Sequence, residues 1–153
     1  PYRRQRQMCI RDSSDTAEDT MSGRWEMTDG VHWKFLKEDG TYAANEWGRI
    51  NNRWYRFGQD GMMQTGWYLD GTTWYRLNDD GSMVTGWMET NGGWDYFDPS
   101  GAMQTGWTMI NDQWYYMETG SEGTKDQGDV GILYMDTITP DGHRVNEKGI
   151  RVQ

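Results

Sequence analysis

The sequence predicts an all-β fold, a β-solenoid of stacked β-hairpins with a repeat of about 20 residues. The heptapeptide GMMQTGW at 61–67 returns as GSMVTGW at 81–87 and as GAMQTGW at 101–107. A second tryptophan follows seven residues after each tryptophan of this series, and a pair of turn-forming residues lies between the two. Eight of the ten tryptophans occupy these two repeat positions: Trp47, Trp54, Trp67, Trp74, Trp87, Trp94, Trp107 and Trp114.

The apolar surface of this fold comes from aromatic residues and methionine rather than from aliphatic residues. A low content of Leu, Ile, Val and Phe, combined with a net charge of −9, is typical of disordered chains. Ten Trp, nine Tyr and eleven Met supply apolar area that this composition rule does not count. We therefore give the repeat precedence over composition and expect a folded chain.

Each repeat is predicted to be one β-hairpin, because residues that tolerate a positive φ angle lie midway between its two tryptophans. Asp70-Gly71 is an alternative turn one residue earlier in its repeat, so both registers stay open there. The predicted two-residue turns are Asn51-Asn52, Gly71-Thr72, Asn91-Gly92 and Asn111-Asp112.

With these turns, the two tryptophans of a repeat share one face of the hairpin, which we call the aromatic face. The opposite face, called the packing face, is expected to contact neighbouring hairpins. In one repeat the aromatic face holds Trp87, Glu89, Trp94 and Tyr96, and the packing face holds Met88, Thr90, Asp95 and Phe97. The connectors between hairpins hold Gly61, Gly81, Gly101, Met63, Met83 and Met103, and the methionines are expected to fill gaps beside the aromatic face.

The N-terminal segment departs from the repeat. Residues 1–22 are expected to be disordered or artefactual, because MCIRD at 8–12 resembles the translation of a sequencing adapter. A native, disordered basic arm is the alternative. Residues 23–118 are expected to hold five tandem hairpin repeats, and the first of these, with Trp25 and Trp33, is a variant.

The C-terminal segment is predicted to cap the array. Residues 119–130 are polar and glycine-rich, as loops are, and residues 131–153 are expected to form a last hairpin that turns at Asp141-Gly142. On its aromatic face we expect Thr137, Thr139, Arg144 and Asn146, and on its packing face Ile138 and Val145. This hairpin therefore lacks an aromatic binding wall.

The succession of GW, then WYR or WYY, then GxMxTGW resembles the cell-wall-binding repeat of choline-binding modules, found on surface proteins and murein hydrolases of Gram-positive bacteria and their phages. The resemblance covers residues 23–153. It implies a left-handed β-solenoid, extracellular and associated with the cell wall, that binds choline on teichoic acids. The ligand would sit between consecutive hairpins, in a box of aromatic rings with a methionine nearby.

The resemblance also implies a non-catalytic module, with any catalytic domain, such as a murein hydrolase, lying upstream in the full-length protein. A homodimer stays open, because relatives dimerise through their C-terminal hairpins. The candidate ligand-binding residues carried over are Trp67, Trp74, Trp87, Trp94, Tyr96, Trp107, Trp114 and Tyr116 as walls, with Met83 and Met103 as floors.

Three substitutions depart from the family pattern. Arg56 and Arg76 stand nine positions after Trp47 and Trp67, where the family has tyrosine. A guanidinium at this point would stack on the tryptophan and compete with a cationic ligand. Asp95 replaces the first tyrosine of its WYY motif, on the packing face.

Three roles are open for the tryptophans. They bind choline or another cationic substituent of teichoic acids through cation–π contacts, they stack on the sugars of a wall glycan, or they only pack within a structural spacer. Attachment to the cell wall is the expected biological role under all three.

Other functions are not supported by the sequence. An acidic chain of pI 4.6 is repelled by nucleic acids, and no apolar run is long enough to span a membrane. A single cysteine, Cys9, and two histidines in distant repeats, His32 and His143, predict no metal or other cofactor. Carboxylates that precede the repeat glycines are interpreted as turn residues rather than catalytic pairs: Asp39, Asp60, Asp79 and Asp80.

Overall fold

A computed structural model describes residues 18–90, 92–120 and 130–153, and the regular structure in these ranges is entirely β. No described helix is long and apolar enough to cross a bilayer. The strands are β1 Gly23–Met27, β2 Trp33–Lys37, β3 Glu46–Ile50, β4 Arg53–Phe57, β5 Gly66–Asp70, β6 Thr73–Leu77, β7 Gly86–Thr90, β8 Gly93–Phe97, β9 Gly106–Ile110, β10 Gln113–Met117, β11 Thr137–Ile138, β12 Arg144–Val145 and β13 Arg151–Val152.

Strands β1 to β10 pair in sequence order as antiparallel two-stranded sheets, which we number hairpins 1 to 5. Strands β11 to β13 form a three-stranded sheet, which we call the terminal sheet. The chain divides into two compact units, up to residue 64 and from residue 65. Hairpins 1 and 2 belong to the first unit, and hairpins 3 to 5 and the terminal sheet to the second. The predicted fold class, all-β with repeated hairpins, is confirmed.

The predicted register holds in hairpins 2 to 5. Trp47 lies opposite Arg56, Trp67 opposite Arg76, Trp87 opposite Tyr96 and Trp107 opposite Tyr116, each tryptophan facing the residue nine positions later. Both tryptophans of each of these hairpins therefore lie on its aromatic face.

The hairpin turns explain this register. Hairpin 2 closes through Asn51 and Asn52, whose φ angles are 52° and 69°, as the tightest hairpin turns require. Asn111 and Asp112 close hairpin 5 in the same way. In hairpin 3, Asp70 pairs with Thr73, so the turn is Gly71-Thr72 and the alternative at Asp70-Gly71 is wrong. In hairpin 4, Thr90 pairs with Gly93; Asn91 of the predicted Asn91-Gly92 turn lies outside the described residues.

The core lies on the packing faces, as predicted. The last residue of the second strand is fully buried in hairpins 2 to 5: Phe57, Leu77, Phe97 and Met117. In the first unit, Phe57 belongs to a buried cluster with Phe35, Ala43 and Ile50, against which Trp25 and Tyr55 pack. The aromatic faces are only half-buried, which leaves their rings accessible.

Within a unit, the connector that follows a hairpin also contacts the preceding hairpin. After hairpin 4, Met103 forms a β-bridge with Phe97 of its own hairpin, while its N–H donates to the carbonyl of Trp74 in hairpin 3 at 2.9 Å. Leu133 repeats this arrangement, with an N–H that donates to the carbonyl of Trp94 at 2.9 Å. These backbone hydrogen bonds stack the hairpins within a unit.

The connectors also explain the repeated glycine and methionine. Gly101 has a φ of +89°, and a Cβ there would lie 2.3 Å from the Met83 sulfur. Gly131 stands in the same relation to Met103, at 2.6 Å. Met83 and Met103 therefore each pack against the glycine of the following connector, so this contact occurs twice in the second unit.

The terminal sheet differs from the prediction. Thr137 pairs with Val145 and Ile138 with Arg144, so the register is shifted by one residue, and Ile138 is 57% exposed rather than packed. The reason is the loop: the Thr139 N–H donates to the His143 carbonyl, which closes a longer turn than a two-residue Asp141-Gly142 turn. Strand β13, which the sequence did not predict, pairs with β12.

Two predicted segments lie partly outside the described residues. These are the N-terminal segment 1–22, of which 1–17 lie outside, and the polar loop 119–130, of which 121–129 lie outside. Part of the segment predicted to precede the fold contacts hairpin 2. The Asp19 carboxylate accepts hydrogen bonds from the N–H groups of Asn51 and Asn52, at 2.8 and 3.0 Å, and Thr20 exchanges hydrogen bonds with Arg49. The fold therefore includes residues before Gly23.

We predict that Gly101→Ala destabilises the protein more than Gly86→Ala. Both glycines have a left-handed φ, +89° and +81°, but a Cβ at Gly86 meets nothing within 4 Å. Overpacking against Met83 should add about 1–3 kcal/mol to the loss, measured by urea unfolding. The loss should shrink in a Met83→Ala background, and equal losses for the two glycine variants would contradict the contact.

Candidate ligand-binding pocket

An open cavity of about 450 Å³ lies on the second unit, between hairpins 4 and 5 and the terminal sheet. Its volume falls in the range of small-molecule sites. Three aromatic rings, two apolar side chains and two charged side chains line it: Trp87, Trp94, Tyr115, Leu133, Met135, Glu147 and Lys148.

The aromatic walls come from two consecutive hairpins. Trp87 and Trp94 belong to the aromatic face of hairpin 4, on β7 and β8. Tyr115 belongs to the packing face of hairpin 5, and its ring centroid lies 5.2 Å from that of Trp87 at an interplanar angle of 68°. The packing face of one hairpin therefore meets the aromatic face of the preceding hairpin, and the pocket opens beside this contact.

The third aromatic ring of the pocket is Tyr115, whereas the sequence predicts Tyr96 as a wall. Tyr96 is not one of the pocket residues; its ring lies 5.0 Å from Trp87 within the same hairpin and supports that indole. Tyr115, assigned to packing by strand alternation, closes the pocket instead. The signal that could have found it is the WYY motif of the following repeat, since its first tyrosine projects toward the preceding hairpin.

The predicted methionine floors also lie elsewhere. Met83 packs against Gly101, and Met103 packs against Gly131 and is almost fully buried. The pocket lining instead includes Leu133, which occupies the same connector position as these methionines in the following repeat. Leu133 forms a β-bridge with Met117 of hairpin 5. Met135 supplies a flexible thioether two residues further on.

The candidate residues Trp67 and Trp74 lie together, with ring centroids 6.2 Å apart. The Arg76 guanidinium lies over the Trp67 ring at 5.2 Å, and its Nε is buried with no hydrogen-bond partner among the described residues. The prediction that this arginine stacks on tryptophan is confirmed. The position equivalent to Tyr115 is held here by Asp95, which is fully buried.

The candidate residue Trp107 is covered by the terminal sheet. Its indole N–H donates to the Asp141 carboxylate at 2.8 Å, the Arg151 guanidinium lies 5.8 Å from its ring, and the His143 ring contacts it edge-on at 5.6 Å. Tyr116 packs between Trp107 and Tyr134. Trp114, on the same aromatic face, is 39% exposed and does not line the pocket.

The first unit contains a related arrangement that sequence reasoning missed. Trp25 of hairpin 1 contacts Tyr55 of hairpin 2 at 4.9 Å and 68°, as Trp87 contacts Tyr115. Phe35 supports Trp25 at 5.1 Å, as Tyr96 supports Trp87, and the Met63 N–H donates to the Trp33 carbonyl at 2.8 Å. The variant spacing of Trp25 and Trp33 obscured this correspondence.

The carboxylates of the connectors are turn residues, as expected. Asp39, Asp60 and Asp80 accept hydrogen bonds from backbone N–H groups two residues later. Within the described ranges, no group of three His, Cys, Asp or Glu side chains could hold a metal ion. His32 contacts Asp29 at 2.6 Å and His143 contacts Asp141 at 3.2 Å, so each histidine has a separate carboxylate partner.

Comparison with known families and structures identifies related proteins. Residues 84–125 match a choline-binding repeat, and residues 45–63 and 65–83 match a putative cell wall binding repeat. No curated protein matches.

Three solved structures share the fold. Choline binding protein F from Streptococcus pneumoniae, solved in the presence of a peptidoglycan analogue, is 34% identical with a TM-score of 0.72, over 87% of this chain and 41% of that one. CbpJ from Streptococcus pneumoniae TIGR4 is 34% identical with a TM-score of 0.59, over 86% and 48%. The modular Cpl-1 endolysin, complexed with a peptidoglycan analogue, is 30% identical with a TM-score of 0.57, over 90% and 39%. The chain thus spans less than half the length of each.

Asp141→Asn should loosen the terminal sheet at neutral pH. The pKa of Asp141 lies below its ordinary value, mainly because the carboxylate accepts a hydrogen bond from the Thr139 hydroxyl and also because it accepts one from the Trp107 indole. Such a carboxylate stabilises the folded state above its unfolded pKa, and this stabilisation is lost as pH falls through the folded pKa.

The urea midpoint of the wild type should therefore exceed that of Asp141→Asn at pH 7, and this difference should shrink below about pH 4. Asp112→Asn, at the exposed turn of hairpin 5, controls for the loss of one charge. A gap that does not change with pH would show that the Asp141 charge does not support the sheet.

Proposed function

The chain belongs to the family of choline-binding, cell-wall-binding repeats, and from this premise we propose that it attaches a secreted protein to choline-bearing teichoic acids of a bacterial cell wall. We place any catalytic activity in other domains of a longer protein, because the carboxylates of the connectors serve as turn residues. The ligand site we propose is the pocket formed by Trp87, Trp94 and Tyr115.

The observation that carries this proposal is the position of the chain's own cations. In the second unit, three tryptophans stand at the GW position. Arg76 lies over Trp67 at 5.2 Å and Arg151 over Trp107 at 5.8 Å, so two of the three rings hold a guanidinium. The third, Trp87, lines the open pocket instead. A cation from a ligand would complete the same interaction there.

A quaternary ammonium suits this pocket because it has no N–H to donate and carries its charge on methyl groups. Aromatic ring faces attract such a cation, at about 0.5–2 kcal/mol per contact. Leu133 and Met135 supply apolar surface for the methyl groups. Trp94 is 37% exposed, so a ligand attached to a polymer can reach its ring.

Attachment to a polymer does not require a strong single site. Wall polymers carry many copies of a substituent, so sites that bind weakly alone give a long residence time when several bind together. The Trp25 and Tyr55 contact of the first unit, which matches that of Trp87 and Tyr115, is the second place where we expect binding.

A fluorescence titration tests the proposed function. Choline chloride should change the tryptophan emission saturably, with a dissociation constant in the millimolar range, which corresponds to a binding free energy of about −4 kcal/mol. Sodium chloride at matched ionic strength should not change the emission. No choline-specific change in a folded sample would reject the cation site and favour stacking on wall glycan or a structural role.

Trp94→Ala and Tyr115→Ala should each weaken choline binding by about 2- to 30-fold, the equivalent of one cation–π contact. Trp114→Ala is the matched control, since Trp114 has the same repeat position as Trp94 and similar exposure, 39% against 37%, but lies outside the pocket. Calorimetric titration gives the three dissociation constants. An equal loss in all three variants would contradict the assignment.

A further inference from the structure

The pocket carries two charged side chains that binding of a simple cation does not explain. Glu147 and Lys148 line it together with the aromatic rings, and both residues are exposed. In the part of the chain that the structure describes, neither the Glu147 carboxylate nor the Lys148 ammonium has a hydrogen-bond or ion-pair partner. Both charges are therefore available to a ligand.

The turn that carries these two residues is held by Asn146. The Asn146 side-chain oxygen accepts hydrogen bonds from the N–H groups of Lys148 and Ile150, at 2.8 and 3.0 Å. The Gly149 N–H donates to the Asn146 carbonyl at 2.9 Å. The backbone of Glu147 and Lys148 is thus fixed by three hydrogen bonds.

The same turn is anchored to the pocket on both sides. Ile150 forms a β-bridge with Tyr115, one of the aromatic walls. A Cβ on Gly149, whose φ is +85°, would lie 2.8 Å from the Leu133 side chain, so the turn packs directly on the pocket lining. The two charges are therefore held at the pocket mouth rather than carried on a detached loop.

A bare cation would be attracted by Glu147 but repelled by Lys148, and an uncharged sugar would need neither charge. A ligand that joins a quaternary ammonium to an anionic group uses both. We propose that the Glu147-Lys148 turn selects such a zwitterion: the ammonium lies among the rings beside Glu147, and the anion pairs with Lys148. This inference rests on the proposed function, and adds to it the residues that determine specificity.

The expected effect is modest and sensitive to salt. Exposed ion pairs change an equilibrium by about two- to fivefold, and ions at physiological strength screen them beyond about 8 Å. The preference for a zwitterion over choline should therefore be clear at low ionic strength and weaken as salt is added.

Calorimetric titration of the full chain with choline and with glycerophosphocholine, a soluble phosphodiester, tests the proposal. The wild type should bind the ester more tightly than choline. Lys148→Gln should weaken ester binding by about two- to fivefold without weakening choline binding, and Glu147→Gln should weaken both. Arg53→Gln, which removes one positive charge from the exposed start of β4 in the other unit, should change neither.

The outcomes separate this proposal from the proposed function. If the wild type binds neither ligand, the choline site itself is rejected. If it binds both and Lys148→Gln leaves their ratio unchanged, only the selection of a zwitterion is overturned. The variants should keep the wild-type tryptophan emission spectrum, because both side chains are exposed and without partners among the described residues.

A second experiment, with vesicles, distinguishes a lipid surface from a polymer as the source of the zwitterionic group. Phosphatidylcholine vesicles present this group on a lipid surface. Cosedimentation that is lost in Lys148→Gln would support the zwitterion site and assign it to a membrane surface. Binding of the soluble ester without cosedimentation would support the site and assign it to a polymer.

Discussion

The contact between the packing face of one hairpin and the aromatic face of the hairpin before it holds each unit together. A two-stranded hairpin is marginally stable alone, because it has no second layer against which to bury its side chains. Trp25 against Tyr55 in the first unit, and Trp87 against Tyr115 in the second, supply that layer from the neighbouring repeat. In the second unit, Met83 packs against Gly101 and Met103 against Gly131, which adds a contact between successive connectors.

This contact also accounts for differences between chemically similar repeats. Where a tyrosine projects toward the preceding tryptophans, as Tyr115 does, an open aromatic pocket results. Where Asp95 takes that position, the preceding Trp67 is covered by Arg76. Where the terminal sheet follows, Arg151 covers Trp107. Residues at a few repeat positions thus distinguish a repeat with an open ring from one whose ring already holds a cation.

Much of the fold could be predicted because local rules and the repeat agree. Asn51-Asn52 and Asn111-Asp112 adopt the positive φ angles that two-residue turns require, and these turns fix which residues lie opposite each other. The register of the terminal sheet differs from the prediction because Asp141-Gly142 suits loops of more than one length. The Thr139 hydrogen bonds that select the longer loop cannot be read from the spacing of residues.

The pocket could be predicted only in part. Strand alternation identifies Trp87 and Trp94 as sharing a face, but not which face of the next hairpin they meet, so it does not predict that Tyr115 lines the pocket. Glu147 and Lys148 lie more than fifty residues after Trp94 in a segment without the aromatic motif. Their position depends on the bridge between Ile150 and Tyr115, a long-range pairing that the sequence does not specify.

A crystal structure of the full chain grown with saturating choline chloride would show directly whether the pocket binds a quaternary ammonium. We expect a trimethylammonium group among Trp87, Trp94 and Tyr115, in van der Waals contact with their ring faces. An ordered protein with this pocket accessible but free of choline, or with choline bound only elsewhere, would contradict it.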